Sequence, residues 1–343
     1  MKTIKYLLMS FTAILFISCQ NEETIIIQDT TQNLSVSSPL ASLISRVSQN
    51  ATSHDNVLDN SSCFNIQLPV NVIVNGKQIT VSNQNDYLTV QAALDAFSSD
   101  DDLVNFVYPI TIQYRNWKTQ LIANSDQLED IIENCDEDDG FDEIDCIHIN
   151  YPIKIAIYNS NNQIATTITI QNDADLYNFF ENIESNVIVS INYPVSITDS
   201  KGQKVLITNN SNFEDIIEAN IQDCDPHSGT VGNSNFISIL TDGGWNVSYF
   251  FNKIDETSIY NGYNFTFNSN ETVAAVKGTN TIGGTWSTFV NSGHDIFLLK
   301  FDNSALDELE DNWKIIEYTT TNIRLKNESS SNGETSYLYF TKN

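Results

Sequence analysis

Apolar and polar residues alternate in short bursts along the first two thirds of the chain, and four of those bursts open alike. Leu68-Pro69-Val70, Tyr108-Pro109-Ile110, Tyr151-Pro152-Ile153 and Tyr193-Pro194-Val195 place their prolines 40, 43 and 42 residues apart. Each opens a run of period two, as in Pro109-Ile110-Thr111-Ile112-Gln113-Tyr114, the pattern of a strand with one face buried. Polar turns follow at Asn75-Gly76, Arg115-Asn116, Asn159-Ser160-Asn161-Asn162 and Ser200-Lys201-Gly202. A second short strand comes next, such as Gln78-Ile79-Thr80-Val81 or Val205-Leu206-Ile207-Thr208. Proline removes a ladder donor, so each should begin a strand or lie on an edge, and the bond before it can be cis.

Every unit ends in helical spacing. Leu128, Ile131 and Ile132 follow Asn124-Ser125-Asp126-Gln127, and Ile216 and Ile217 follow Ser211-Asn212-Phe213-Glu214; both openings have the form of a capping box. Leu88, Leu94 and Phe97 supply the spacing in unit one, and Leu176, Phe179, Phe180 and Ile183 in unit three. One such unit cannot bury its sheet face alone, so units must pair or stack. Cys63 and Cys146 stand before units one and three, and Cys135 and Cys224 after the helices of units two and four. If equivalent positions bond equivalently, the disulfides are Cys63–Cys135 and Cys146–Cys224, with Cys135–Cys146 plus Cys63–Cys224 as the rival pairing. The pattern predicts two ββαββα domains, 63–135 and 146–225, each a four-stranded sheet under two helices, with an acidic linker at 136–145.

After a second linker at 226–235 the pattern is strands only. Eight are expected, near Trp245–Phe251, Tyr263–Asn268, Thr272–Lys277, Gly284–Val290, Ile296–Phe301, Trp313–Thr319, Ile323–Lys326 and Ser336–Thr341, with a helical turn at Ala305–Leu309. Short consecutive strands predict an antiparallel barrel or sandwich over 236–343, making the fold class α+β plus all-β. Gly244-Trp245-Asn246-Val247-Ser248-Tyr249-Phe250, Tyr263-Asn264-Phe265-Thr266-Phe267, Gly284-Thr285-Trp286 and Trp313-Lys314-Ile315-Ile316 resemble the lipocalin-like domains of bacterial lipoproteins. The resemblance implies that Trp245 closes the barrel base, with Arg324 in a place to pack on it, and that a small hydrophobic ligand occupies the lumen. The segment is short for that family, and an eight-stranded barrel can be filled by its own side chains. Trp286 and Trp313 are therefore read as core, and a filled barrel stands beside a ligand-binding one.

At the other end, Lys2 and Lys5 precede an apolar run from Tyr6 to Ile17 and then Ser18-Cys19. That is the order of a secretory signal segment, and it is shorter than the roughly 18–20 apolar residues of a spanning helix. Leu15-Phe16-Ile17-Ser18-Cys19 resembles a lipobox, which implies removal of residues 1–18 and acylation of Cys19. Gln20-Asn21-Glu22-Glu23 resembles the acidic tags of surface-exported lipoproteins of the Bacteroidota, to whose multi-domain members the whole chain is similar. The resemblance implies an outer-membrane anchor with the protein facing outward. Residues 19–62, rich in Ser, Thr, Asn and Gln, are expected to be the lipidated Cys and a flexible tether. Within them Leu40, Leu43, Ile44 and Val47 could form a short amphipathic helix docking on the first repeat domain.

Composition narrows the chemistry. Hydrophobic residues make up 41%, enough for real cores, while 44 acidic against 16 basic side chains give a formal charge of −28. Losing Lys2 and Lys5 would leave the rest two units more acidic. Such a surface repels nucleic acid and anionic headgroups and suits a divalent cation or a basic partner. Asp136, Asp138, Asp139 and Asp142 are weak calcium candidates. Their run lacks a third ligand before Gly140 and a Glu at the twelfth loop position, so a solvated linker is the plainer reading and no cofactor is expected. His54, His148, His227 and His294 are scattered, and neither a Gly-x-Ser-x-Gly elbow nor a phosphate-cradling Gly-Lys-Ser/Thr loop occurs. The function expected is non-catalytic: an anchored surface protein presenting interaction modules to a protein, glycan or cation. A carrier of a small hydrophobic molecule is the alternative, and an enzyme comes third.

Overall fold

The computed structural model describes residues 32–96, 103–135, 141, 143–158, 164–224, 233–291, 293–329 and 334–343, of which Leu34–Asn343 belong to one compact unit. Buried apolar side chains gather in three clusters, one for each repeat pair and one inside a C-terminal barrel. A strap precedes them, formed of β1 (Leu34–Ser35), α1 (Pro39–Val47) and α2 (Asn56–Asp59).

The first repeat pair runs β2 (Phe64–Ile66), β3 (Val70–Val74), β4 (Lys77–Val81), α3 (Tyr87–Leu94), β5 (Val104–Phe106), β6 (Ile110–Tyr114), β7 (Thr119–Ile122) and α4 (Ser125–Glu133). The second runs β8 (His148–Ile149), β9 (Ile153–Tyr158), β10 (Ile164–Ile170), α5 (Asp173–Asn182), β11 (Ile188–Ile191), β12 (Val195–Thr198), β13 (Lys204–Ile207) and α6 (Asn210–Cys224). All four X-Pro bonds are cis, and each separates the hairpin from a short lead strand. Those lead strands are exchanged within a pair. β2 joins the hairpin of unit two and β5 that of unit one, just as β8 joins unit four and β11 unit three. Each pair therefore holds two small sheets instead of the expected single four-stranded sheet: β4-β3-β5 with β2-β6-β7, and β1-β11-β9-β10 with β13-β12-β8. The lead strands are only two to four residues long, too short for periodicity to reveal them.

Asparagine caps the helices of units two, three and four and, in unit one, the 3-10 turn Gln84–Asp86 that runs into α3. Asn83, Asn124 and Asn172 have extended backbones and side chains that accept helix N–H groups, and Asn209 Oδ1 accepts from Asn212 N at 2.8 Å. The fourth helix thus begins at Asn210, ahead of the expected Ser211 cap. The tyrosine of the motif ties hairpin to helix: Tyr151 donates to Asp173 and Tyr193 to Asn210, both at 2.7 Å. The disulfides are Cys63–Cys135 and Cys146–Cys224, with Cα atoms 6.2 and 5.0 Å apart, as the repeat argument requires. Phe97 lies outside the described residues.

Two expectations for the strap fail. Residues 32–62 are not a loose tether, and the helix does not dock on the first pair. Leu40, Leu43, Ile44 and Val47 are all buried in the core of the second pair, where α1 packs on α5 and α6 and β1 adds to the edge of β11. The chain then crosses to the first pair. Trp117 Nε1 donates to the Ser48 carbonyl at 2.9 Å, and Asn50 N to the Arg115 carbonyl at 2.9 Å. The second pair offers an open sheet edge and an apolar saddle between two helices, which the spacing of Leu40, Leu43, Ile44 and Val47 matches.

Helix α7 (Asn233–Leu240) leads into β14 (Gly244–Asn252), β15 (Ile254–Asp255), β16 (Asn264–Phe267), β17 (Thr272–Lys277), β18 (Asn280–Asn291), β19 (His294–Phe301), β20 (Asn312–Tyr318), β21 (Asn322–Ser329) and β22 (Glu334–Lys342). All but β15 follow one another as antiparallel neighbours, and β14–β22 pairing closes an eight-stranded barrel. Each of the eight expected strands is present, and the helical turn spans Ser304–Leu309. Gly284 lies where any side chain would meet the Lys300 carbonyl of the adjacent strand. The helix α7 was not expected; its Phe236 and Leu240 are fully buried in the barrel core.

Because Ile44 is fully buried and central to the strap, Ile44→Ala is expected to cost about 2–5 kcal/mol. Chemical denaturation followed by tryptophan fluorescence would check it; a change near zero would mean that the strap is not seated.

Candidate functional site

The barrel interior is the first place to look. Its lumen is spanned by rings in contact: Phe250 with Tyr260 at 5.1 Å, Phe265 with Phe340 at 5.6 Å, Phe267 with Phe297 at 5.7 Å and Phe236 with Phe297 at 5.8 Å. Trp245, Trp313, Phe250, Phe265 and Phe297 are 0–1% exposed. Trp286 is 4% exposed, lies tilted at 40° against Phe297 and donates its indole N–H to the Asn268 and Thr272 carbonyls. These edge-to-face rings fill the barrel as a core does.

Trp245 and Arg324 are not brought together. Ile323 and Leu325 point inward and are buried, so the alternation of β21 turns Arg324 outward. Trp245 stays inside and donates to the Leu240 carbonyl at the end of α7 at 2.9 Å. Arg324 instead binds Glu317 at 3.0 Å and Ser42 of the strap at 2.9 Å, with its guanidinium 4.3 Å from the Phe141 ring. Arg46 of α1 reaches the same Glu317 oxygen at 2.7 Å and also faces Phe141. A cavity of about 270 Å³ opens beside this group, between Arg46, Phe141, Arg324 and Tyr339.

A second charged group joins α6 to the barrel wall. The Lys326 side chain is 3% exposed and lies 3.1 Å from Asp215, 3.2 Å from Glu218, 3.5 Å from Glu214 and 3.0 Å from Glu328. Tyr337 donates to Glu214 at 3.0 Å. Burial pulls the Lys326 ammonium down, but Glu214, Glu218 and their neighbours outweigh it and hold the group well above its ordinary range. Burial, with Glu214 nearby, pushes the Glu218 carboxyl up to about 7 against the pull of Lys326. This is an ionic seam between modules, with Lys326, Glu214 and Glu218 buried at its centre and Asp215 and Glu328 at its exposed rim.

A third polar group sits where the strap meets the first pair. Asp55 is 1% exposed; one oxygen accepts the Ile66 N–H, while its other oxygen and one of Asp59 are buried without a hydrogen-bond partner. Burial raises Asp55 to about 6, and burial together with Asp55 raises Asp59 to about 8. Nearby, His54 Nε2 stands 3.0 Å from Asp145, and Ser53 donates to that same carboxylate at 3.5 Å. In a catalytic triad the hydroxyl and the acid occupy opposite nitrogens of the imidazole. Here both groups converge on the acid, so His54 is not placed to activate Ser53.

A polar cleft of about 430 Å³ opens among Asn252, Lys253, Asp307, Glu308, Glu310, Asp311 and Trp313. Glu310 is spent on the Phe301 N–H and Glu308 on Asn252. Among the described residues, no group of three or more His, Cys, Asp or Glu side chains is placed to hold a metal ion. Cys19 and the calcium candidates Asp136, Asp138, Asp139 and Asp142 lie outside the described residues.

No family model matches the chain, and no curated protein does. Among solved structures it is similar to a DUF4847 family protein from Bacteroides vulgatus, with 17% identity and a TM-score of 0.25, over 32% of this chain and 97% of that one.

Two outcomes follow. The raised Asp55, Glu218 and Asp59 carboxyls bind protons more tightly when folded, so their stabilising effect is complete in acid and is lost as pH climbs through about 6 to 8; His54, raised by its bond to Asp145, acts in the same direction. The melting temperature should fall between pH 5 and pH 8.5, with a smaller fall in Asp59→Asn; an unchanged slope in that variant would remove the carboxyl pair as a cause. Lys326→Met strands two buried carboxylates and should cost about 3–5 kcal/mol. Adding Glu214→Gln and Glu218→Gln should recover most of that loss in urea melts.

Proposed function

We propose that this chain is a non-catalytic, lipid-anchored surface protein whose repeat modules present an interaction face to another macromolecule. The observation that carries the reading is the way buried groups are used. The aromatic rings fill the barrel against one another, and the buried ions bolt modules together. In the His54–Asp145 contact the neighbouring hydroxyl, Ser53, is on the acid instead of the imidazole. What remains open to solvent is on the repeat pairs and the barrel rim, where Leu88, Leu103, Leu121, Leu206 and Val290 are each more than 60% exposed. The acidic surface favours a basic partner. The anchor is supported by the resemblance of Leu15–Cys19 to a lipobox, and the outward address by the acidic residues after it.

A carrier of small hydrophobic molecules is the second reading, supported by the lipocalin-like words of the barrel alone. Native mass spectrometry of the chain purified from its own envelope separates the two. A bare polypeptide mass plus acyl chains is expected; an additional apolar molecule lost on solvent extraction would make the barrel a carrier. Cys19→Ala should move the protein from the membrane pellet to the soluble fraction, and retention in the pellet would count against the anchor.

A further inference from the structure

The two repeat pairs differ at one edge. Aligned on Tyr108-Pro109 and Tyr193-Pro194, Leu103 and Val104 correspond to Ile188 and Val189. In the second pair that edge is covered: Leu34 of the strap pairs with Val189 and Ser35 with Ile188, and Val189 is fully buried. In the first pair β5 is the edge of its sheet, and no described segment pairs with its outer side. Val107 N donates inward to the Asn71 carbonyl at 2.9 Å. By the antiparallel alternation, the N–H and C=O groups of Val104 and Phe106 then face away from the sheet. Leu103 is 61% exposed and Val107 40%. Aligned on the caps Asn83 and Asn172, Leu88 corresponds to Tyr177. Tyr177 bonds Gln49 of the strap, whereas Leu88 is 77% exposed.

We propose that the outer edge of β5 is a docking site for an extended segment of a partner protein in which apolar residues alternate with basic ones. It would add a strand to β4-β3-β5 as β1 adds to β11, its backbone bonding Val104 and Phe106 and its apolar side chains covering Leu103 and Leu88. The second pair demonstrates the geometry, because the same edge there holds a strand of this chain. Charge selects the partner. Acidic side chains outnumber basic ones six to three among the described residues of the first pair, and Arg115 is already engaged by Glu143 at 2.8 Å. A second copy of a chain with charge −28 would be repelled. The inference rests on the reading of the protein as an interaction module and names the edge that does the work.

The test uses the full chain and a fluorescein-labelled peptide of alternating lysine and valine, followed by anisotropy. Saturable binding in the micromolar range is expected, roughly tenfold weaker in Val104→Pro, which removes an outward donor without touching the ladder to β3. Leu103→Asp should also weaken it, and its exposed side chain makes that variant safe for folding if the proline is not. Leu206→Asp in the second pair should bind as the parent does. A lysine–glycine peptide of equal charge should bind roughly tenfold less. Absence of binding, equal binding by that peptide, or indifference to both edge variants would overturn the proposal. So would a dimer dissolved by Val104→Pro, which would assign the edge to a second copy. A small molecule found inside the barrel would instead overturn the interaction reading while leaving peptide binding as measured.

Discussion

The seating of the strap is the constraint on which the rest of the assembly depends. Within one short helix the chain buries Leu40, Leu43, Ile44 and Val47 in the second repeat pair and sends Arg46 to Glu317 of the barrel. A few residues later it bonds the first pair through Ser48 and Asn50. Arg46 is only 8% exposed, and a buried cation is tolerable only where its partners are fixed. Glu317, Arg324, Ser42 and Phe141 provide that fixation together, so each module is held in the position that satisfies the others. The Lys326 seam works by the same logic from α6. Cations are scarce in this chain, and the most deeply buried ones stand at the junctions.

Much of the fold was legible because its signals are periodic or repeated. The four X-Pro motifs marked four units, cysteine placement relative to those units chose the disulfides, and all eight barrel strands followed from alternation and turn residues. What escaped was short or two-sided. Lead strands such as His148–Ile149 have too few residues to show a period. The burial of the barrel's outer wall did leave a trace in the sequence. Tyr337-Leu338-Tyr339-Phe340 and Tyr249-Phe250-Phe251 lack polar alternation, which means that both faces are covered. Trp245 and Arg324 were linked by chain order alone, whereas the alternation of Ile323-Arg324-Leu325 puts Arg324 on the other face.

The site was less legible than the fold. Polar groups that look chemically suggestive, such as His54 with Asp145 or Asp55 with Asp59, acquire meaning only from who faces whom. The structure gives these groups to the joint between strap and first pair. Edge exposure was likewise invisible to the sequence, since Leu103 and its counterpart Ile188 are both apolar. The difference between them is that one edge was given a strand from elsewhere in the chain.

That borrowed strand also orders events in time. The strap is the earliest of the described segments to be synthesised, yet Arg46 and Glu317 lie 271 residues apart and Ser42 and Arg324 lie 282 apart. Loop closure over such distances is slow. The apolar stripe of the helix made first must therefore wait for the second pair to cover it, and its polar contacts must wait longer, until nearly the whole chain exists. Ser42 and Ser45 lie on the face opposite that stripe, and Ser38 and Ser48 cap the two ends of the helix. A segment with one polar face and polar ends is half solvated already while the core that covers its other face is being built.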